Sequence, residues 1–121
     1  MKLNQNNAGL EAEKLAATFL LNQGLKLITQ NYHCRYGEID LIMQDSKTLV
    51  FVEVRLRKNS LFGGAGSSIT PQKMQKLISA AQHYLQTHNQ SKSEQACRFD
   101  AILMHAVDAK SIEWVRNAFD A

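Results

Sequence analysis

Residues 38 to 57 hold two apolar runs, Glu38 to Gln44 and Thr48 to Arg57, separated by the polar stretch Asp45-Ser46-Lys47-Thr48. Two strand-like runs around a short polar break predict a β-hairpin. Strand side chains alternate between faces. Glu38 and Asp40 of GEIDLI therefore share one face, and so do Glu53, Arg55 and Arg57 of FVEVRLR. If Asp45 faces Thr48 across a two-residue turn, paired positions keep a constant sum of about 93, by simple antiparallel counting. That register sets Asp40 opposite Glu53 and Glu38 opposite Arg55. Ile39, Leu41, Val50, Val52 and Val54 predict a sheet buried on one face, and Leu49 and Phe51 predict partial cover on the other.

The remaining chain supplies partners for the hairpin. Residues 9 to 23 carry Ala12, Leu15, Ala16, Phe19 and Leu20 at helical spacing, with Gly24 as the stop. Glu13 lies at the border of that apolar stripe. Residues 25 to 33 read as a strand. Residues 58 to 69 (KNSLFGGAGSSI) read as a glycine-rich loop. Thr70-Pro71 opens a second helix, with Thr70 as its cap, and Met74, Leu77, Ile78, Ala81 and Leu85 on one side. A polar linker over 88 to 96 leads to strands at 98 to 106 and 112 to 119. The order α-β-β-β-α-β-β predicts an α/β fold, a mixed sheet flanked by helices, in which the second helix carries a crossover to a parallel strand.

The 121 residues suit one domain, 1–121, able to build a core without staples. A net charge of +3 fits a nucleic-acid partner without requiring one. Two cysteines are too few for a disulfide framework, so Cys34 and Cys97 read as small buried hydrophobes in a reducing cytoplasm. No apolar leader opens MKLNQNNAG, and no apolar run is long enough to span a bilayer. No membrane partner is expected.

Like charges opposite one another on paired strands repel. An Asp40–Glu53 pair therefore needs something to offset it. Hard carboxylate oxygens suit Mg²⁺ or Mn²⁺, and such an ion can activate water and polarise a phosphate. The plainer alternative is a solvated hairpin face on which Arg55 and Arg57 neutralise the acids. Partial cover of that face by Leu49 and Phe51 favours the first reading, because half-buried charges need partners. Glu13 could join the pair from a helix packed on the sheet.

GLEAEKLAATFLLNQG, NYHCRYGEIDLI, FVEVRLR, the helix around Lys73, RFDAILM and the terminal NAF together resemble the YraN-like family, across nearly the whole chain. These are small bacterial proteins with a nuclease-like core of the PD-(D/E)XK superfamily. The resemblance implies a restriction-endonuclease-like fold, related to Holliday-junction resolvases, and Mg²⁺-dependent cleavage of DNA, with branched DNA as one candidate. It places metal ligation on Asp40, Glu53 and the Val54 carbonyl, with Glu13 acting through water. Arg55 stands where the superfamily pattern has lysine. Arginine cannot act as a base near neutral pH, but it can hold the scissile phosphate. Arg57, Lys58, Gln72, Lys73, Lys76 and Arg98 would bind the nucleic-acid backbone. Resolvase-like enzymes often pair two sites, so a homodimer is a further expectation, with Trp114 or Phe119 as contacts if they are not core.

Arg55 also supports a rival, a nucleic-acid-binding domain of the same fold without catalysis. A purely structural domain would show no salt-sensitive affinity for nucleic acid. A zinc site from His33, Cys34, Cys97 and His105 lacks Cys-x-x-Cys spacing, and GGAGSS lacks the P-loop lysine.

Overall fold

A computed structural model describes residues 7–56, 69–88 and 95–119. The elements are α1 (Asn7–Asn22), β1 (Lys26–Cys34), β2 (Gly37–Asp45), β3 (Thr48–Leu56), α2 (Pro71–His88), β4 (Cys97–Met104) and β5 (Glu113–Phe119). A 3₁₀ turn, Ala109–Ser111, joins the last two strands. The five strands lie side by side in chain order. All neighbours are antiparallel except β3 and β4, which run parallel. The α-β-β-β-α-β-β order expected from the sequence is present, and the mixed sheet with its two helices is restriction-endonuclease-like.

Local chemistry sets the helix ends. At the end of α1 the Leu25 N–H reaches the Leu20 carbonyl (3.1 Å) and the Gly24 N–H the Leu21 carbonyl (3.0 Å). This is a Schellman stop, and it needs a left-handed residue, supplied by Gly24 at φ 99°. Leu20 and Leu25 bury together across it, sealing the turn into the core. The α2 cap is the expected one, with the Lys73 N–H donating to Thr70 Oγ1 at 3.1 Å.

Alternation along β3 sends successive side chains to two cores. Val50 and Val52 meet Ala12, Ala16, Ala17 and Leu20 of α1. Leu49 and Phe51 meet Leu77, Ala80, Ala81 and Tyr84 of α2. The helices therefore cover opposite faces. Alanines on both helices let their backbones approach the strands closely, and fully burying a leucine such as Leu20 contributes about 1.5–3 kcal/mol. The α2 stripe runs through Tyr84, with Leu85 at its edge, because spacing from Leu77 through Ala80 and Ala81 points to 84.

The hairpin register is the expected one over Leu41↔Val52 to Asp45↔Thr48. It stops there. Asp40↔Glu53 and Glu38↔Arg55 are not ladder pairs, because β2 leaves β3 at Asp40. Ile39 accordingly packs in the α2 core instead of sharing the α1 face with Leu41. Its partner in β1, Tyr32, belongs to the same core. Between them Asn31 adopts φ 53°, opposite the Asp40 position by the β1–β2 register. One left-handed residue thus turns the end of both strands.

Trp114 and Phe119 are partly buried and pack against the core. Phe19 packs edge-on to Trp114, and Phe119 stacks on Phe99. Among the described residues, no helix is long and apolar enough to cross a membrane.

Candidate functional site

The parting of β2 from β3 leaves the N–H of Val54 without a strand partner on that side, and the Asp40 carboxylate takes its place. Val54 N donates to Asp40 Oδ2 at 2.8 Å. Within a strand, the N–H and carbonyl of one residue point to the same edge, so the Val54 carbonyl faces the same gap. Glu53 is almost fully buried, with 3% exposure. It meets Asp40 through a side-chain hydrogen bond. Two carboxyl groups can share such a bond only when one keeps its proton.

Two cations close the other side. Arg55 Nη1 donates to Glu53 Oε2 at 3.1 Å, and Lys73 Nζ from α2 lies 3.6 Å from the same oxygen. Lys73 thus lies on the side of α2 that faces the carboxylate pair. Burial, then the Asp40 charge, raises the Glu53 pKa to about 7 against the pull of Lys73 and Arg55. Burial also raises that of Asp40, opposed by its Val54 hydrogen bond and by Lys73.

Glu13 comes from α1, on the other face, and its carboxyl feels the Asp40 charge. Burial first and Asp40 second raise it to about 7, offset in part by a hydrogen bond from Asn31. Asn31 was missed by sequence reasoning. A lone asparagine in a strand gives no periodic signal, although asparagine tolerates the left-handed conformation better than most residues. Glu38 is exposed and pairs with His33 at 3.6 Å.

Other expected site residues lie elsewhere. Gln72 and Lys76 are exposed on α2. Arg57 and Lys58 lie outside the described residues, as does most of the 58–69 loop. Arg98 is on the α1 face at the opposite end of β4, not with Asp40. Its Nε donates to Asp100 Oδ1 (3.0 Å), and its Nη2 forms an ion pair with Asp45 (3.0 Å). Asp100 is fully buried. It also accepts from Trp114 Nε1 and the Asn117 N–H, both at 2.9 Å.

Among the described residues, no group of three or more His, Cys, Asp or Glu is disposed to hold a metal ion. Glu13 therefore does not complete a three-acid cage, and no zinc cluster forms from His33, Cys34, Cys97 and His105. What converges is two carboxylates beside a backbone carbonyl. Mg²⁺ commonly takes one or two carboxylates and keeps water elsewhere, so this donor set fits that ion. A metal bound there would also offset the repulsion between the two acids.

The acids predict a pH dependence. Folded Glu13 and Glu53 keep protons up to about pH 7, whereas unfolded glutamate loses its proton near ~4.3. The folded state binds more protons in that window, so stability is fully present below it and declines as pH rises through about 7. In metal-free buffer the thermal midpoint should fall between about pH 5 and 8, and Glu53→Gln should flatten the fall. A wild-type midpoint that holds steady or climbs over that range would contradict the burial of these acids.

Residues 12–104 match the family described as "Uncharacterised protein family UPF0102". The chain is similar to a UPF0102 protein of Nitrosomonas eutropha, 55% identical over 114 residues, covering 94% of each chain. It is 55% identical over 116 residues to one from Psychromonas ingrahamii, covering 94% of this chain and 90% of that one. A UPF0102 protein of Methylobacillus flagellatus is 52% identical over 113 residues, covering 93% and 96% respectively.

Proposed function

The chain belongs to the UPF0102 family, and from that premise we propose that it is a metal-dependent nuclease hydrolysing phosphodiester bonds in DNA. The observation that carries this reading is the Asp40–Glu53 pair: two carboxyl groups pressed together in a buried setting, with Arg55 and Lys73 beside them. A packed protein has no structural reason to set two acids against each other. A cation and a phosphate give it a chemical one.

Asp40, Glu53 and the Val54 carbonyl are the groups that would hold Mg²⁺ or Mn²⁺. Bound there, the ion would polarise a phosphoryl oxygen and make water a better nucleophile. Val54 N–H fixes the Asp40 carboxylate in position, so little reorganisation is needed. Arg55 and Lys73 supply positive charge where negative charge grows on the phosphorus oxygens. Lys73 also supplies the amine that Arg55 lacks. Glu13, with a pKa of about 7, suits a base working near neutral pH. It would take a proton from the attacking water as a P–O ester bond breaks and the leaving oxygen gains a proton from solvent. Lys76 and Gln72, exposed further along α2, would follow the backbone.

The presence of Arg55 in the lysine position supports a second reading, a DNA-binding domain without catalysis. Cleavage of branched DNA in Mg²⁺ or Mn²⁺, set beside a gel shift in EDTA, separates them. Cleavage abolished by EDTA is the expected result. Binding with no cleavage in either metal would favour the second reading, and no binding would end both.

A further inference from the structure

The β1–β2 hairpin turns at Arg35-Tyr36, between Cys34 and its partner Gly37. Gly37 lies so close to α2 that an added Cβ would meet the Lys76 Cβ at 3.4 Å and the Lys76 carbonyl at 3.5 Å. The turn is thereby seated against the helix. Between them is a cleft of about 190 Å³, lined by Tyr36, Ser79, Gln82, His83 and Gln86.

We propose that this corner stacks and reads an unpaired nucleotide, so that the substrate carries a single-stranded segment beside the scissile bond. The inference rests on the nuclease reading and narrows its substrate. Four observations carry it. Tyr36 is 43% exposed, and no other Phe, Tyr or Trp among the described residues is a large exposed side chain. Its ring is also preset. Arg35 Nη2 donates to its hydroxyl at 2.9 Å, and the guanidinium lies 5.0 Å from the ring centroid, giving a second planar group, a cationic one, for stacking. The lining is two amides, a hydroxyl and an imidazole, with no acid. Amides and hydroxyls offer donors and acceptors together, as a base edge requires. The Tyr32 hydroxyl occupies His83 Nδ1 at 2.5 Å, which leaves Nε2 as the ring's remaining polar atom. Finally, the cleft lies on the same helix that brings Lys73 to the carboxylate site. Lys73, Lys76, Ser79 and His83 succeed one another along α2, and ten residues of helix span about 15 Å. That distance corresponds to several nucleotides at roughly 3.4 Å each.

A cleft this size is smaller than the ~300–1,000 Å³ of ordinary small-molecule sites. It suits one ring system on a longer chain. Bases inside a duplex have both faces covered by their neighbours, so an exposed tyrosine gains little from blunt duplex. Stacking tolerates any base, so weak sequence preference is expected.

The test is fluorescence anisotropy in EDTA with labelled single-stranded DNA, a blunt duplex, and a duplex bearing a single-stranded flap. Wild type should prefer the single strand and the flap. Tyr36→Ala should weaken both by about 5- to 150-fold, the loss of one stacked base, and change blunt-duplex binding by less than about twofold. Tyr36→Trp should restore the preference, which also guards against a folding artefact. Lys76→Ala should weaken all three probes alike and lower the salt slope. A ribose probe of the same sequence distinguishes RNA from DNA as the source of the strand. Equal losses on all probes, or none, for Tyr36→Ala would overturn the inference. Tyr36-dependent binding by a protein that cleaves nothing would sink the nuclease reading alone. Metal-dependent cleavage with Tyr36-independent binding would sink this one alone.

Discussion

Asp40→Asn and Glu53→Gln should each lower Mg²⁺-dependent cleavage by about a thousandfold or more, while affinity for DNA in EDTA changes by less than about threefold. The magnitude follows from the job assigned to the pair. A metal-polarised phosphoryl group gains several kcal/mol of transition-state stabilisation, and each ~1.4 kcal/mol is a factor of ten in rate. Amide variants are preferable to alanine because Asn at 40 still offers an oxygen to the Val54 N–H. The stability readout is equally informative. Removing one acid from a buried like-charged pair relieves repulsion, so the thermal midpoint of Glu53→Gln at pH 8 without metal should equal or exceed that of wild type. Added Mg²⁺ should raise the wild-type midpoint through selective binding to the folded state, and should do nothing for Asp40→Asn. Were both variants to cut DNA at the wild-type rate, the assignment would be refuted. A large loss of stability with no response to Mg²⁺ in any protein would make the pair structural.

Periodicity carries the parts of this protein that repeat. Alternation in LVFVEVR encodes β3 and sends Val50 and Phe51 to different cores. Helical spacing and the Thr70-Pro71 cap encode α2, and the polar Asp45–Thr48 turn fixes the hairpin register. Those elements suffice to bring Asp40 near Glu53 and Lys73 near both. What alternation cannot encode is where a strand stops pairing. The departure of β2 at Asp40, and the left-handed Asn31 across from it, are single-residue events set by tertiary packing. They decide that Asp40 caps the Val54 N–H instead of facing Glu53 in a ladder. They also set Asn31 beside Glu13. The cations show the same limit. Lys73 and Arg98 look alike in sequence, yet one reaches the carboxylate pair and the other is held by Asp45 and Asp100 at the far end of the sheet. Counting residues along one strand cannot reveal which acids another segment has placed nearby.

Asp100→Ala should destabilise the fold by about 3–5 kcal/mol, the usual cost of breaking a buried charged network by removing one member. For a chain of this size that means a fall of at least ~10 °C in the thermal midpoint. The carboxylate is fully buried and holds three groups on two strands: Arg98 on its own strand, and the Trp114 indole N–H and Asn117 backbone N–H on β5. Asn117 sits at φ 53° within β5, where the strand shifts register against β4. A hydrogen bond to its N–H is what ties that irregularity down. Alanine would strand the Arg98 guanidinium with only Asp45, strip the indole N–H of its acceptor and release the β5 kink. Asp100→Asn should cost less, because one oxygen remains to accept. It should still cost more than ~1 kcal/mol, since its NH₂ would face the donors now satisfied by the second oxygen. Arg98→Ala leaves Asp100 buried without its counter-charge and should resemble Asp100→Ala in stability. Any loss of DNA binding in that variant should then track unfolding, disappearing when binding is measured well below its lowered midpoint. If Arg98→Ala instead keeps the wild-type midpoint and loses affinity in a salt-dependent way, Arg98 contacts phosphate and the Asp100 network is not what stabilises this end of the sheet.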